Sequence, residues 1–167
     1  PSTEYEKVLF LKKYKFNKSL YIRYNPVNNK TLNKIITTNY KPNKKLIGYG
    51  KNTIISYGIC AERIFKILNE NKLLQKKYQL YNFSLISNLE KNFISKLSRG
   101  SKKIIVFEDH FNKGSLSEKI KVLLYENNIK IKVVCKNLGN NYFRPKKTLN
   151  ELFIDYDITK VYLDKLK

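Results

Sequence analysis

Apolar positions along this chain fall into short runs separated by polar punctuation, and the clearest run is Ile104, Ile105, Val106 and Phe107. A continuous β-branched and aromatic run reads as a strand buried on both faces. The run stops at acids. Glu108, Asp109 and His110 follow at once, and Gly114 permits a tight turn. Ser115 or Ser117 then caps a helix with Ile120, Leu123 and Leu124 on one side. Strand, polar elbow and helix form the centre of the chain, and in open α/β sheets ligands or partner domains sit at such an elbow.

The flanking patterns supply the other elements. Tyr5, Val8, Leu9 and Leu11 lie at helical spacing after a Ser2 or Thr3 cap, and the Leu20/Ile22 alternation predicts a short strand ended by Asn25 and Pro26. From Val27 to Lys45 the chain is mostly polar and reads as a linker. A buried strand then runs through NTIIS to Gly58, followed by a helix from about Cys60 to Leu74 with Ile64, Ile67 and Leu68 inward. A second strand covers Tyr78 to Phe83, and a helix from about Asn88 to Leu97 places Leu89, Phe93, Ile94 and Leu97 on one face. After the central unit, IKIKVVCK at Ile129 to Lys136 alternates Ile with Lys at its start, which puts this strand near an edge. A helix beginning at Thr148 and an amphipathic turn with Val161 and Leu163 close the chain. Strands alternating with helices predict a three-layer α/β fold, a mainly parallel sheet with helices on both faces.

Composition changes this picture in three ways. The longest apolar runs fall far short of the roughly 20 residues of a membrane span, so no membrane partner is expected. The net charge of +21 over 167 residues raises nucleic acid as a partner. However, the bases are almost all Lys, with only Arg23, Arg63, Arg99 and Arg144 offering the arginine fork. The lysines are scattered through the sequence among abundant Asn, Ile, Tyr and Phe, as an A+T-rich coding sequence would impose, and no specific nucleic acid is expected. Cys60 and Cys135 lack metal or disulfide spacing and read as buried thiols. A chain that starts at Pro1 and contains no Met reads as part of a longer polypeptide.

Five segments then occur in a telling order: YIRYNPVN at Tyr21 to Asn28, IGYG at Ile47 to Gly50, SYG at Ser56 to Gly58, VFEDHFNKGS at Val106 to Ser115, and NLGNNYF at Asn137 to Phe143. In order and spacing they resemble the C-terminal part of the 1-deoxy-D-xylulose-5-phosphate synthase family, thiamine-diphosphate enzymes of the transketolase superfamily. The resemblance implies that residues 1–26 end a pyrimidine-binding domain, 27–45 are a linker and 46–167 form a transketolase C-terminal domain. It also implies an enzyme that condenses pyruvate with glyceraldehyde 3-phosphate, releasing CO₂, for isoprenoid precursors in a plastid-like organelle. Thiamine diphosphate and Mg²⁺ would be held by the preceding domains, and the partners would be the rest of the enzyme and a second subunit of a homodimer. The sequence departs from the family where Pro26 replaces a second phosphate-site arginine, Ser115 a glycine, Asn82 an aspartate and Asn88 a proline. Transketolase itself, or a 2-oxo-acid dehydrogenase β subunit, shares the same terminal domain and is the alternative enzyme. A basic nucleic-acid-binding module is the alternative outside enzymes.

No catalytic, cofactor-binding or metal-binding residue is expected on this chain. Glu108 and Asp109 are adjacent, so on an extended strand they point to opposite faces and do not share an acid/base site. His110 is the single histidine and reads as a loop residue, and Gly114 as a packing turn, since neither GxGxxG nor a P-loop ending surrounds it. Together with Arg23 and Tyr24, these four residues, Glu108, Asp109, His110 and Gly114, are the candidates for a domain junction.

Overall fold

The computed structural model describes residues 3–13, 21–22, 32, 41–86, 89–137, 151, 154 and 160–165. Helix α1 covers Glu4–Lys13, strand β1 Asn43–Gly48, β2 Asn52–Ser56, helix α2 Gly58–Asn69, α3 Lys72–Lys77 and β3 Tyr78–Phe83. Helix α4 follows at Lys91–Arg99, β4 at Lys103–Phe107, α5 at Leu116–Glu126, β5 at Lys132–Lys136 and α6 at Lys160–Lys165. The strands form one five-stranded sheet in the order β1-β3-β2-β4-β5. β1 runs antiparallel to β3, and the other neighbours are parallel.

Alternation along β2 and β4 sends side chains to both faces, and each face carries its own core. On one side Ile54, Ile105, Phe107, Tyr78 and Leu80 pack with Ile64 and Leu68 of α2, and Leu32 and Leu163 close this layer. On the other, Ile55, Ile104, Val106 and Phe83 meet Ile94 and Leu97 of α4 and Ile120 and Leu124 of α5. Each such side chain contributes on the order of 1.5–3 kcal/mol when removed from water, and β4, KIIVF, buries all of its positions between the two layers. Helices on both faces of a mainly parallel sheet give the three-layer α/β architecture that the alternating pattern predicts, and β5 takes an edge as its Ile/Lys start implies.

Several boundaries differ from the sequence reading, each for a local reason. β1 begins inside the stretch read as linker, because Asn43 and Lys44 pair with Phe83 and Asn82 although their own side chains are polar. The single helix expected from Cys60 to Leu74 is two: Asn71 interrupts it, its side chain accepting hydrogen bonds from the Leu73 and Leu74 amides (3.1 and 3.2 Å) and so starting α3. β5 starts at Lys132 rather than Ile129, and α4 at Lys91 rather than Asn88, which itself lies outside the described residues. Tyr21 and Ile22 belong to neither strand nor helix, and the rest of that expected strand lies outside the described residues, as does the expected start at Thr148. In α1, capped by the Thr3 hydroxyl at 3.0 Å from the Glu6 amide, the buried face is Glu6 and Phe10, while Tyr5, Val8 and Leu11 face outward.

The IGYG segment packs where β1 turns back toward β2. A Cβ on Gly50 would stand 2.0 Å from the Lys77 carbonyl carbon, so only glycine lets these backbones approach.

Candidate functional site

The strand order reverses at β2. Its successor β3 lies on one side and β4 on the other, so the crevice between the carboxyl ends of β2 and β4 is the switch point of the sheet. Two of the five sequence segments meet there. SYG supplies Ser56, whose hydroxyl donates to the Phe107 carbonyl at 2.8 Å, and FEDHFNKGS continues directly from that carbonyl. The start of the fifth segment joins them, because the Asn137 side-chain amide reaches the Ser117 hydroxyl at 3.5 Å.

Glu108 is the keystone of this edge. It is 1% exposed, and its amide donates to the Lys136 carbonyl at 3.0 Å, which extends the β4–β5 ladder by one bond. Its carboxylate turns to the start of α5, where Oε2 accepts from the Leu116 amide (2.8 Å) and Oε1 from the Ser117 amide (3.2 Å). A carboxylate at a helix N-terminus is stabilised by unpaired N–H groups and by the helix dipole. Ser115 is the N-cap, its hydroxyl accepting from the Glu118 amide at 3.0 Å and donating to the Asn112 carbonyl at 2.8 Å. Glu118 in turn accepts from the Gly114 amide at 2.6 Å, so Gly114, at φ +70°, is held in a left-handed turn by the first turn of the helix that follows.

Asp109 and His110 are half-buried beyond this cap, and the His110 Nδ1 lies 3.2 Å from the Phe111 carbonyl oxygen. Glu108 is thus spent on the helix and is not placed as an acid/base partner of Asp109. Arg23 and Tyr24 lie outside the described residues. Among the described residues no three His, Cys, Asp or Glu side chains gather in a way that would hold a metal. Cys60 is buried in the core and Cys135, on β5, is half-buried; neither is in a disulfide.

Two further residues on this edge carried no separate sequence signal as a pair. Asn82, near the end of β3, donates from its side-chain amide to Glu6 Oε1 at 3.1 Å, and both side chains are buried. Helix α1 is therefore tied to the end of β3 by a polar bond, and its Phe10 is buried. Position 82 is one of the family departures noted from the sequence, but the partner 76 residues away is visible only in three dimensions.

No family model and no curated protein matches the sequence. Among solved structures, a split-gene transketolase described as an inactive β4 tetramer superposes with a TM-score of 0.64 at 18% identity, over 77% of this chain. The fold is of the transketolase C-terminal type. The match covers 43% of the transketolase chain, so this chain spans less than half of it. Among the described residues no helix is long and apolar enough to cross a membrane.

Proposed function

We propose that this chain is the terminal domain of a thiamine-diphosphate-dependent 1-deoxy-D-xylulose-5-phosphate synthase, and that its carboxyl edge docks the rest of the enzyme. The observation that carries this reading is the convergence at one crevice of SYG, FEDHFNKGS and the start of NLGNNYF, segments that are far apart in sequence. The elbow there is built to hold shape rather than to react: its one deeply buried carboxylate, Glu108, is committed to two backbone amides. Thiamine diphosphate with Mg²⁺, held by the preceding domains, would supply the carbanion chemistry of decarboxylation. What this chain contributes is a rigid rim that fixes where those domains and a second subunit sit. That the transketolase of similar fold is named a tetramer supports association through such a surface.

The test is product formation. The complete polypeptide, supplied with pyruvate and glyceraldehyde 3-phosphate, is expected to release CO₂ and form deoxyxylulose 5-phosphate, while the 167-residue chain alone binds no thiamine diphosphate in isothermal titration. Transfer of a two-carbon unit from a ketose phosphate, with pyruvate untouched, would assign the chain to a transketolase instead.

A further inference from the structure

Five of the lysines that are scattered in sequence come together at one end of the sheet. Each parallel strand of the sheet starts beside one: Lys77 precedes β3, Lys51 precedes β2, Lys102 precedes β4, Lys103 opens it, and Lys132 opens β5. The register aligns these starts, since Asn52 pairs with both Tyr78 and Lys103, and Lys103 pairs with Lys132. The Lys102 amide donates to the Lys51 carbonyl at 2.7 Å, which locks two of them side by side. Adjacent strands lie about 4.8 Å apart, so the row crosses about 15 Å of the sheet's amino edge.

The row has a fixed part and a free part. Lys77 turns its ammonium to the Leu163 and Asp164 carbonyls (3.4 and 3.1 Å), and Lys103 is buried. The Lys103 amine is pushed below its usual pKa first by burial and then by the charges of Lys132 and Lys77. Lys51, Lys102 and Lys132 are exposed and form no ion pair among the described residues. Beside them stands Tyr49, 65% exposed, its backbone held by the Gln75 carbonyl at 3.0 Å. The acids of this region are few: Asp164 lies near Tyr78, and Glu70 and Glu126 end neighbouring helices.

We infer that the amino edge of the sheet binds the phosphate backbone of single-stranded nucleic acid, with Lys51, Lys102 and Lys132 meeting phosphates and Tyr49 offering a base-stacking surface. A row of unpaired ammonium groups next to an exposed aromatic ring is the combination that sequence-tolerant single-strand binders use. Lysine supplies point charges without the planar fork that reads bases, so the binding is independent of sequence. The site lies at the opposite end of the strands from the domain junction and does not depend on the proposed enzyme activity.

The test titrates the full chain with a fluorescent oligodeoxythymidylate of about 16 nucleotides across a salt series. The triple variant Lys51→Ala, Lys102→Ala, Lys132→Ala is expected to lose at least tenfold in affinity and to flatten the log–log salt slope by about 2. The control triple Lys91→Ala, Lys96→Ala, Arg99→Ala removes the same charge from the outer face of α4, where these residues line a shallow depression, and is expected to lose less than threefold. Tyr49→Ala should weaken binding roughly fivefold with the salt slope unchanged. Equal losses in the two triples, or no loss in either, would overturn the assignment. So would tighter binding to phosphatidylserine vesicles through the same three lysines, which would make the edge a membrane surface.

Discussion

Glu108 shows how one residue type supports two opposite readings. An acid at the carboxyl end of a central strand is the position where an α/β enzyme places chemistry, yet here both carboxylate oxygens accept from the first amides of α5. Hydrogen bonds to a charged group are worth about 1.5–3 kcal/mol each, and removing the acceptor strands two buried donors. Glu108→Ala is therefore expected to cost about 3 kcal/mol of stability in urea denaturation at neutral pH, and Glu108→Gln, which keeps one oxygen acceptor, about half of that. A Glu108→Ala protein as stable as wild type would mean that the carboxylate is not the cap of α5. The identity of this residue as a site candidate was legible in the sequence, because the apolar run stops at it. Its partners were not, because Leu116 and Ser117 come within reach only once the Gly114 turn folds the chain back.

At the scale of elements, the joints between pieces distant in sequence carry the testable consequences. Tyr78 opens β3 and donates its hydroxyl to the Leu163 carbonyl of α6 at 2.8 Å. Burial, then the charge of Asp164, then Tyr162, push its pKa from 10.0 to about 12. The folded chain thus holds this proton while the unfolded chain has released it. The stabilisation is complete below pH 10 and is lost as pH rises to about 12. Lys103, lowered from 10.5, works the other way below that value, so the comparison that isolates Tyr78 is with Tyr78→Phe. This variant is expected to lose about 1 kcal/mol at pH 8 and to fall less steeply than wild type between pH 10 and 12. Parallel alkaline limbs in the two proteins would contradict the account.

The second joint is α1. Its docking bond runs from Asn82 to the buried Glu6, and Asn82→Asp would set two carboxylates face to face at about that 3.1 Å separation. Hydrogen exchange across Glu4–Lys13 should accelerate at least tenfold in Asn82→Asp and recover when Glu6→Gln is added. Unchanged protection in the single variant would show that the Asn82–Glu6 bond does not hold the helix. Apolar spacing points to the wrong inner face for this helix. Tyr5, Val8, Leu9 and Leu11 suggested an apolar one, but the fold buries Glu6 and Phe10 because Asn82 waits at the end of β3. The central strands were legible for the converse reason: β-branched runs such as Ile104 to Phe107 have one stable place, between two helical layers. β1 was not, since NKKLIG owes its strand state to the free edge of β3 rather than to its own side chains.

For the whole molecule, the two ends of the strands have different characters. The amino edge gathers cations, which no reading of spacing reveals because the lysines come together only through strand register. The carboxyl edge gathers the sequence segments, caps its helix internally and docks α1. We place the junction with the rest of the enzyme at this carboxyl edge. Hydrogen exchange on the chain alone and within the complete polypeptide decides this. Slower exchange is expected at Tyr57–Gly58 and Glu108–Gly114 in the complete protein, with Lys51, Lys102 and Lys132 at the amino edge unchanged. Protection confined to the amino edge, or none at the switch point, would contradict it.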